Sequence, residues 1–102
     1  MGNLWKQAER EAAKALGGKR VVRGDDFSQS KPDIEHPLFN IEVKQRKRLP
    51  VLLWNGLVQA ASYPGGKPPL LVLRQTGDTT ALVVMKMKDF VDLFGGIKGT
   101  KE

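Results

Sequence analysis

The chain has 102 residues, with 17 Lys and Arg against 11 Asp and Glu, a formal net charge of +6 and no cysteine. These numbers allow one domain with a modest core, and they exclude disulfides, zinc ribbons and thiol catalysis. No apolar run approaches the ~20 residues of a membrane-spanning helix, and the acid-containing N-terminal segment does not resemble a signal peptide. The basic balance favours a polyanionic partner, most often nucleic acid, with a basic protein that has no such partner as the alternative.

The first half of the chain predicts one helix followed by three strands. The helix covers 4–16 and the strands cover 19–23, 33–35 and 40–47. Asn3 is a plausible cap for the helix and Gly17-Gly18 ends it. Turn-forming residues over 24–32 predict a polar loop between the first two strands.

The second half predicts a helix, a hairpin and a short final helix. The predicted elements are a helix over 51–63 opened by Pro50, strands over 69–74 and 80–86, and a helix over 88–94. The apolar run of the fourth strand predicts a strand covered on both faces. The helix between strands three and four is long enough for a right-handed crossover to a parallel neighbour. The predicted fold is therefore α/β, in the order αβββαββα, with a mixed sheet of about five strands and helices on both faces. Residues 1–94 are predicted to form a single domain, with a flexible tail over 95–102.

Charged residues interrupt the strand pattern in KPDIEHPLFNIEVKQRKRLP, residues 31–50. Glu42 and Lys44 share one strand face, about 7 Å apart along the chain, and a hairpin can bring Asp33 beside Glu42. Two carboxylates that close repel by about 4 kcal/mol, which a shared proton or a divalent cation would relieve. Carboxylate oxygens with several waters suit Mg²⁺ or Mn²⁺, and a neighbouring lysine can orient an attacking water. The pattern indicates phosphodiester hydrolysis, with a structural ion cluster as the alternative.

The same residues resemble a known family. The pattern PD-x8-E-V-K, which begins at Pro32 and ends at Lys44, is similar to the motif of the PD-(D/E)XK nuclease superfamily. The helix segment over 7–11 (QAERE) and the run IEVKQRKRLP over 41–50 resemble archaeal-type Holliday junction resolvases. The similarity covers most of residues 4–60. PD…ExK alone is a loose pattern, and the surrounding helix–hairpin–crossover order makes it more specific.

The resemblance implies a restriction-endonuclease-like core and a metal-dependent endonuclease that resolves four-way DNA junctions by paired nicks. It implies Mg²⁺ as cofactor, with Mn²⁺ able to substitute, DNA as partner, a homodimer, and an intracellular setting in a prokaryote or a phage-infected host. The implied catalytic residues are Glu9, Asp33, Glu42 and Lys44; the implied metal ligands are Asp33, Glu42, Glu9 and the Val43 carbonyl. Helical spacing does not decide between Glu9 and Glu11, and only the resemblance favours Glu9.

Further residues are predicted to contact DNA or support the site. The predicted DNA-binding residues are Arg23, Ser28, Ser30, Arg46, Lys47 and Arg48. The resolvases carry a serine implicated in cleavage in this segment, but the match is poor, so a part in cleavage, a phosphate-binding loop and a simple turn all stay open. Gln59 with Tyr63 is similar to a Q-x3-Y motif that supports the site in exonuclease branches, and helix packing is the alternative. His36, in the predicted turn, is interpreted as structural.

Two other functions fit the same sequence. One is a nuclease of viral replication or repair that cleaves flaps or other DNA structures. The other is a DNA-binding module without catalysis, which would bind DNA with steep salt dependence and would bind no Mn²⁺.

Overall fold

The computed structural model describes residues 4–21 and 31–95. Its elements are α1 (Leu4–Leu16), β1 (Lys19–Arg20), β2 (Ile34–Glu35), β3 (Asn40–Ile41), α2 (Val51–Ala61), β4 (Leu71–Arg74), β5 (Ala81–Val84) and α3 (Met87–Phe94). This order, αβββαββα, confirms the predicted one. The chain divides into two compact units, one formed by Met1–Gln45 with Phe94–Glu102 and the other by Arg46–Leu93.

The core of the first unit lies between α1 and the sheet. Ala12 and Ala13 on α1 are buried with Ile34 of β2, and Ile41 and Val43 pack against them. Alanine side chains let the helix axis approach the sheet closely, so a small set of apolar residues can exclude water. The helix ends where the sequence predicted, because Gly17 adopts a φ of 77° that favours glycine.

The sheet of the first unit is antiparallel in the order β1-β2-β3. Ile34 pairs with Arg20 of β1 on one side and with Ile41 of β3 on the other. Gly18 lies so close to β2 that a Cβ there would be 2.5 Å from the Ile34 side chain and 2.7 Å from the Glu35 carbonyl oxygen. The connection from α1 into β1 therefore requires a residue without a side chain.

The third strand is much shorter than predicted. The ladder covers only Asn40–Ile41, whereas the alternating pattern predicted a strand over 40–47. Beyond Ile41, a side-chain carboxylate of Asp33 accepts the amide of Val43. Pro32 has no N–H group and cannot donate a hydrogen bond to β3, which favours the end of the β2–β3 ladder at this point.

The second unit packs α2 against the β4–β5 hairpin. The helix begins at Val51 because Pro50 (φ −53°, ψ 134°) is extended and precedes the helix. The face turned to β4 carries Leu57, which is buried, and Gly56. A Cβ on Gly56 would lie 2.6 Å from Leu71 Cδ1, so this glycine permits close helix–strand packing.

The hairpin forms where the sequence predicted it. Leu71 pairs with Val84 and Arg74 with Ala81. In the turn, the Asp78 amide donates to the Gln75 carbonyl at 3.0 Å, and Gly77 has a φ of 87°. The prediction that β4 is covered on both faces is wrong, since Val72 is 58% exposed. A two-stranded ladder turns one face to α2, and its other face carries Val72.

The described strands form two antiparallel sheets, one of three strands and one of two. These strands therefore do not form the single mixed sheet that was predicted. Over residues 4–21 and 31–95, the fold is a small mixed α/β domain with three helices and five short strands. Among the described residues, no helix has the length and apolar character needed to cross a membrane.

Candidate active site

Asp33 lies directly before β2 and is buried. Its Oδ2 atom accepts a hydrogen bond from the Val43 amide at 2.8 Å, and its backbone carbonyl accepts one from the Val21 amide at 2.9 Å. Asp33 therefore joins the chain after β1 and the chain after β3. Its position depends on the predicted hairpin, and that hairpin forms.

Glu42 and Lys44 follow β3 and are exposed to solvent. Glu42 Oε2 lies 3.4 Å from Lys44 Nζ, and the two side chains are 55% and 65% exposed. An ion pair this exposed contributes little to stability. Ile41 and Val43 pack against the α1 core, so the alternation predicted from the sequence is present even where the ladder has ended. Both charged groups are therefore accessible to a substrate.

The register of the hairpin relates the two predicted carboxylates. Ile34 pairs with Ile41 at the end of the ladder. Asp33 and Glu42 are the next residues on the two chain segments, just beyond the ladder. Asp33 turns its Oδ2 towards the next amide, that of Val43, while Glu42 is exposed. These two carboxylates are thus carried by neighbouring chain segments of one unit.

Glu9 and Glu11, which helical spacing could not separate, have different surroundings. Glu9 is buried and its Oε1 lies 2.8 Å from Nε of Arg20, whose side chain is 23% exposed. Glu11 is exposed and accepts a hydrogen bond from Gln7 Nε2 at 3.2 Å. Sequence reasoning missed Arg20, whose pairing with Ile34 in the ladder turns it to the face that α1 covers.

The predicted donors form only part of a metal site. In the described part of the chain, no three Asp, Glu or His side chains form a group that could hold a metal ion. Glu9 is instead engaged by Arg20. Asp33, Glu42 and the Val43 carbonyl form a set of oxygen donors, which is the chemistry that Mg²⁺ prefers when it keeps several waters. The donor atoms of Asp33, Glu42 and Val43 are therefore of the chemical type that suits Mg²⁺, while the Glu9 carboxylate is held by Arg20.

The structure describes only some of the residues that were predicted to contact DNA. Arg46, Lys47 and Arg48 are exposed and precede α2 in the second unit. Arg23, Ser28 and Ser30 lie outside the described residues, as do Asn3 and the tail after residue 95. Gln59, the predicted support residue, is exposed on α2, and Tyr63 is 63% exposed just after that helix.

His36 has a structural environment. Its Nδ1 accepts the Leu38 amide at 3.0 Å, so Nε2 carries the proton and donates to the Leu16 carbonyl at 2.9 Å. The ring also contacts Phe39, at 5.4 Å between centroids. Both ring nitrogens are thus used to hold the end of α1 against the turn between β2 and β3.

The second unit contains an apolar groove that the sequence did not predict. Its volume is about 320 Å³, and its lining residues are Leu49, Leu53, Trp54, Leu57, Val84, Met85, Lys86 and Met87. The lining has one charged residue, Lys86, and includes none of the predicted catalytic residues.

Comparisons of the chain with protein-family models, with curated proteins and with solved structures find no match. The nuclease resemblance therefore depends on the motif residues of the sequence alone.

Proposed function

We propose that this chain is a Mg²⁺-dependent, structure-specific endodeoxyribonuclease of the PD-(D/E)XK type that resolves four-way DNA junctions. The observation that carries the proposal is the hairpin in which the Asp33 carboxylate accepts the Val43 amide at 2.8 Å, with Glu42 and Lys44 on either side of Val43 and 3.4 Å apart. A buried aspartate, an exposed glutamate and an exposed lysine on one hairpin are the groups that hydrolysis of a phosphodiester needs. The finer fold, a restriction-endonuclease-like core, is part of the same proposal.

In this proposal Asp33, Glu42 and the Val43 carbonyl hold the cation. Mg²⁺ bound there would polarise the phosphoryl oxygen and make a bound water a better nucleophile. Asp33 supplies the fixed end of the site, because its Oδ2 is held by the Val43 amide. The Glu42 side chain can change conformation to reach the cation, because it is exposed and its ion pair with Lys44 is weak.

Lys44 has two tasks in this mechanism. Its ammonium group orients the attacking water, and it offsets the negative charge that accumulates on phosphorus oxygens in the transition state. Glu42 keeps it in place before substrate binds, at a distance of 3.4 Å. The family resemblance implies products with a 5′-phosphate and a 3′-hydroxyl.

Glu9 has a positioning role in the arrangement described here. Its ion pair with Arg20 ties α1 to β1, next to the hairpin that carries the site. Glu9 would join the metal ligands only by releasing Arg20, which would leave a partly buried guanidinium without its partner.

DNA binding is proposed to depend on the basic run Arg46–Arg48, with Arg23, Ser28 and Ser30 as further contacts. Lysine and arginine side chains that neutralise phosphates give affinity that falls steeply with salt. Two symmetric cuts across a four-way junction need two active sites related by a twofold axis, so the active form is a homodimer.

The test is a substrate panel with purified protein and Mg²⁺: an immobile four-way junction, a flap, a linear duplex and a single strand. We expect paired symmetric nicks in the junction and much slower cleavage of the linear DNAs. Faster cleavage of the flap would favour the replication-type nuclease. Binding without cleavage, together with no Mn²⁺ uptake in calorimetry, would show a DNA-binding module and overturn the proposal.

A further inference from the structure

One face of α2 is an uncharged stripe that the second unit leaves exposed. The stripe consists of Val51, Trp54, Val58 and Ala61, at spacings of three, four and three residues that keep side chains on one face of a helix. Val51 is 67% exposed, Trp54 49% and Val58 68%. On the other side of α2, Gly56 approaches Leu71 of β4, and the buried Leu57 lies between that side and the stripe. Trp54 also lines the apolar groove, so about half of its side chain and most of Val51 and Val58 remain exposed on this face.

An exposed apolar stripe on a protein of this charge indicates an interface. The chain has a net charge of +6, so two copies repel each other over most of their surfaces. The helix sequence VLLWNGLVQAA has no charged residue. Two copies therefore approach each other with least electrostatic cost at this helix.

The order of large and small side chains makes the stripe complementary to itself in one orientation. If two copies of α2 pack antiparallel about a twofold axis, Trp54 of each copy faces Val58 of the other, and Val51 faces Ala61. Each larger side chain then meets a smaller one, as interdigitated packing requires. A parallel pair would instead set Trp54 against Trp54 and leave Ala61 against Ala61.

We propose that two copies of this chain associate through the α2 stripe, with the two helices antiparallel about a twofold axis at the level of Gly56. The inference rests on the homodimer of the proposed function and deepens it by naming its surface and its orientation. Four side chains of one short helix form a contact smaller than the roughly 800 Å² that a standard-size interface takes from each partner. The dimer is therefore concentration-dependent. Because Arg46–Arg48 precede α2, the two basic runs lie at opposite ends of the helix pair.

Cysteine cross-linking tests the orientation, because the chain has no cysteine of its own. Val51 and Ala61 are ten residues apart, which is about 15 Å along a helix. A disulfide needs Cβ atoms about 3.5–4.5 Å apart. We expect a mixture of Val51→Cys protein and size-tagged Ala61→Cys protein to form a mixed disulfide on mild oxidation, and neither variant to cross-link to itself at a comparable rate. Val83→Cys, equally exposed at 67% but on β5, is the matched control and should not cross-link to Ala61→Cys.

Sedimentation of the full chain tests the association without a cross-link. We expect wild type to dimerise with concentration, and Val58→Glu to raise the dimer dissociation constant at least tenfold because the change occurs twice per interface. Val83→Glu should leave it unchanged, and melting curves should show both variants folded. Wild type that stays monomeric, or Val51→Cys that cross-links fastest to itself, would overturn the inference. Neither measurement uses DNA or metal, so its failure is distinguishable from failure of the nuclease proposal.

Discussion

The Asp33 carboxylate accepts the Val43 amide at 2.8 Å, so one residue both fixes the hairpin and serves the proposed metal site. The two roles can be separated by substitution. Asp33→Asn keeps an oxygen acceptor for the amide, and we expect it to fold with a free energy of unfolding within about 1 kcal/mol of wild type. Asp33→Ala removes the acceptor and should cost about 1–3 kcal/mol. Denaturant melts measure the difference, and both variants should lose cleavage. An Asp33→Asn variant that still cleaves like wild type would remove Asp33 from the metal site.

The Glu9–Arg20 ion pair predicts a strong energetic coupling between α1 and β1. Arg20→Ala leaves the buried Glu9 carboxylate without its partner, and we expect a loss of about 3 kcal/mol in unfolding free energy. Glu9→Gln should cost less, because Arg20 is partly exposed and can reach water. The double variant should be more stable than the sum of the two losses predicts, which a double-mutant cycle measures. Glu11→Gln is the matched control on the exposed face and should be near neutral. Additive losses would show that the pair contributes nothing of its own.

Replacement by alanine should lower the free energy of unfolding much more at Gly18 than at Gly56. Gly18→Ala would place a Cβ 2.7 Å from the backbone oxygen of Glu35, which cannot move without disturbing β2. Gly56→Ala meets the Leu71 side chain at Cδ1, Cδ2 and Cγ but no backbone atom, so a rotamer change can relieve the contact, and alanine favours the helix by about 1 kcal/mol. We expect thermal melts to show Gly18→Ala strongly destabilised, by about 2–3 kcal/mol, and Gly56→Ala close to wild type. Equal effects would contradict the close approach at Gly18.

These interactions show which parts of the fold local sequence can predict. The bounds of α1 follow from apolar spacing and from Gly17, and the β4–β5 turn follows from Gly77, because each signal acts within a few residues. The length of β3 could not be predicted from local sequence, because a strand continues only while a neighbouring strand forms hydrogen bonds with it. The alternating charges over 42–47 looked like a strand without forming a ladder.

The candidate site divides in the same way. The placement of Asp33, Glu42 and Lys44 near one another could be predicted because a single short hairpin carries all three. Glu9 could not be distinguished from Glu11 by helical spacing, since the difference is made by Arg20, eleven residues away on another element. The sequence also could not predict which apolar residues of α2 are exposed, because it does not show which side of an apolar helix the sheet covers.

The basic run before α2 predicts the salt dependence of DNA binding. Replacing Arg46, Lys47 and Arg48 by alanine should weaken junction binding and reduce the slope of log affinity against log salt by about one for each phosphate that the variant no longer neutralises. A charge-matched control replaces Lys67, Lys86 and Lys88, which are exposed in the same unit. We expect the control to change the slope much less. Equal slopes for the two triple variants would show that net charge alone, and no defined phosphate-binding residue, governs binding.

The most direct test of the central claim is single-turnover cleavage of an immobile four-way junction in Mg²⁺ by wild type, Glu42→Gln and Lys44→Ala, with Glu35→Gln as control. Glu42 and Lys44 are exposed, so both variants should keep the wild-type free energy of unfolding within about 0.5 kcal/mol. We predict that each lowers the cleavage rate by about 100-fold or more. Glu35→Gln, an exposed acid on β2, should cleave like wild type. Wild-type rates for Glu42→Gln and Lys44→Ala, or no cleavage by wild type, would contradict the assignment of this hairpin as a nuclease site.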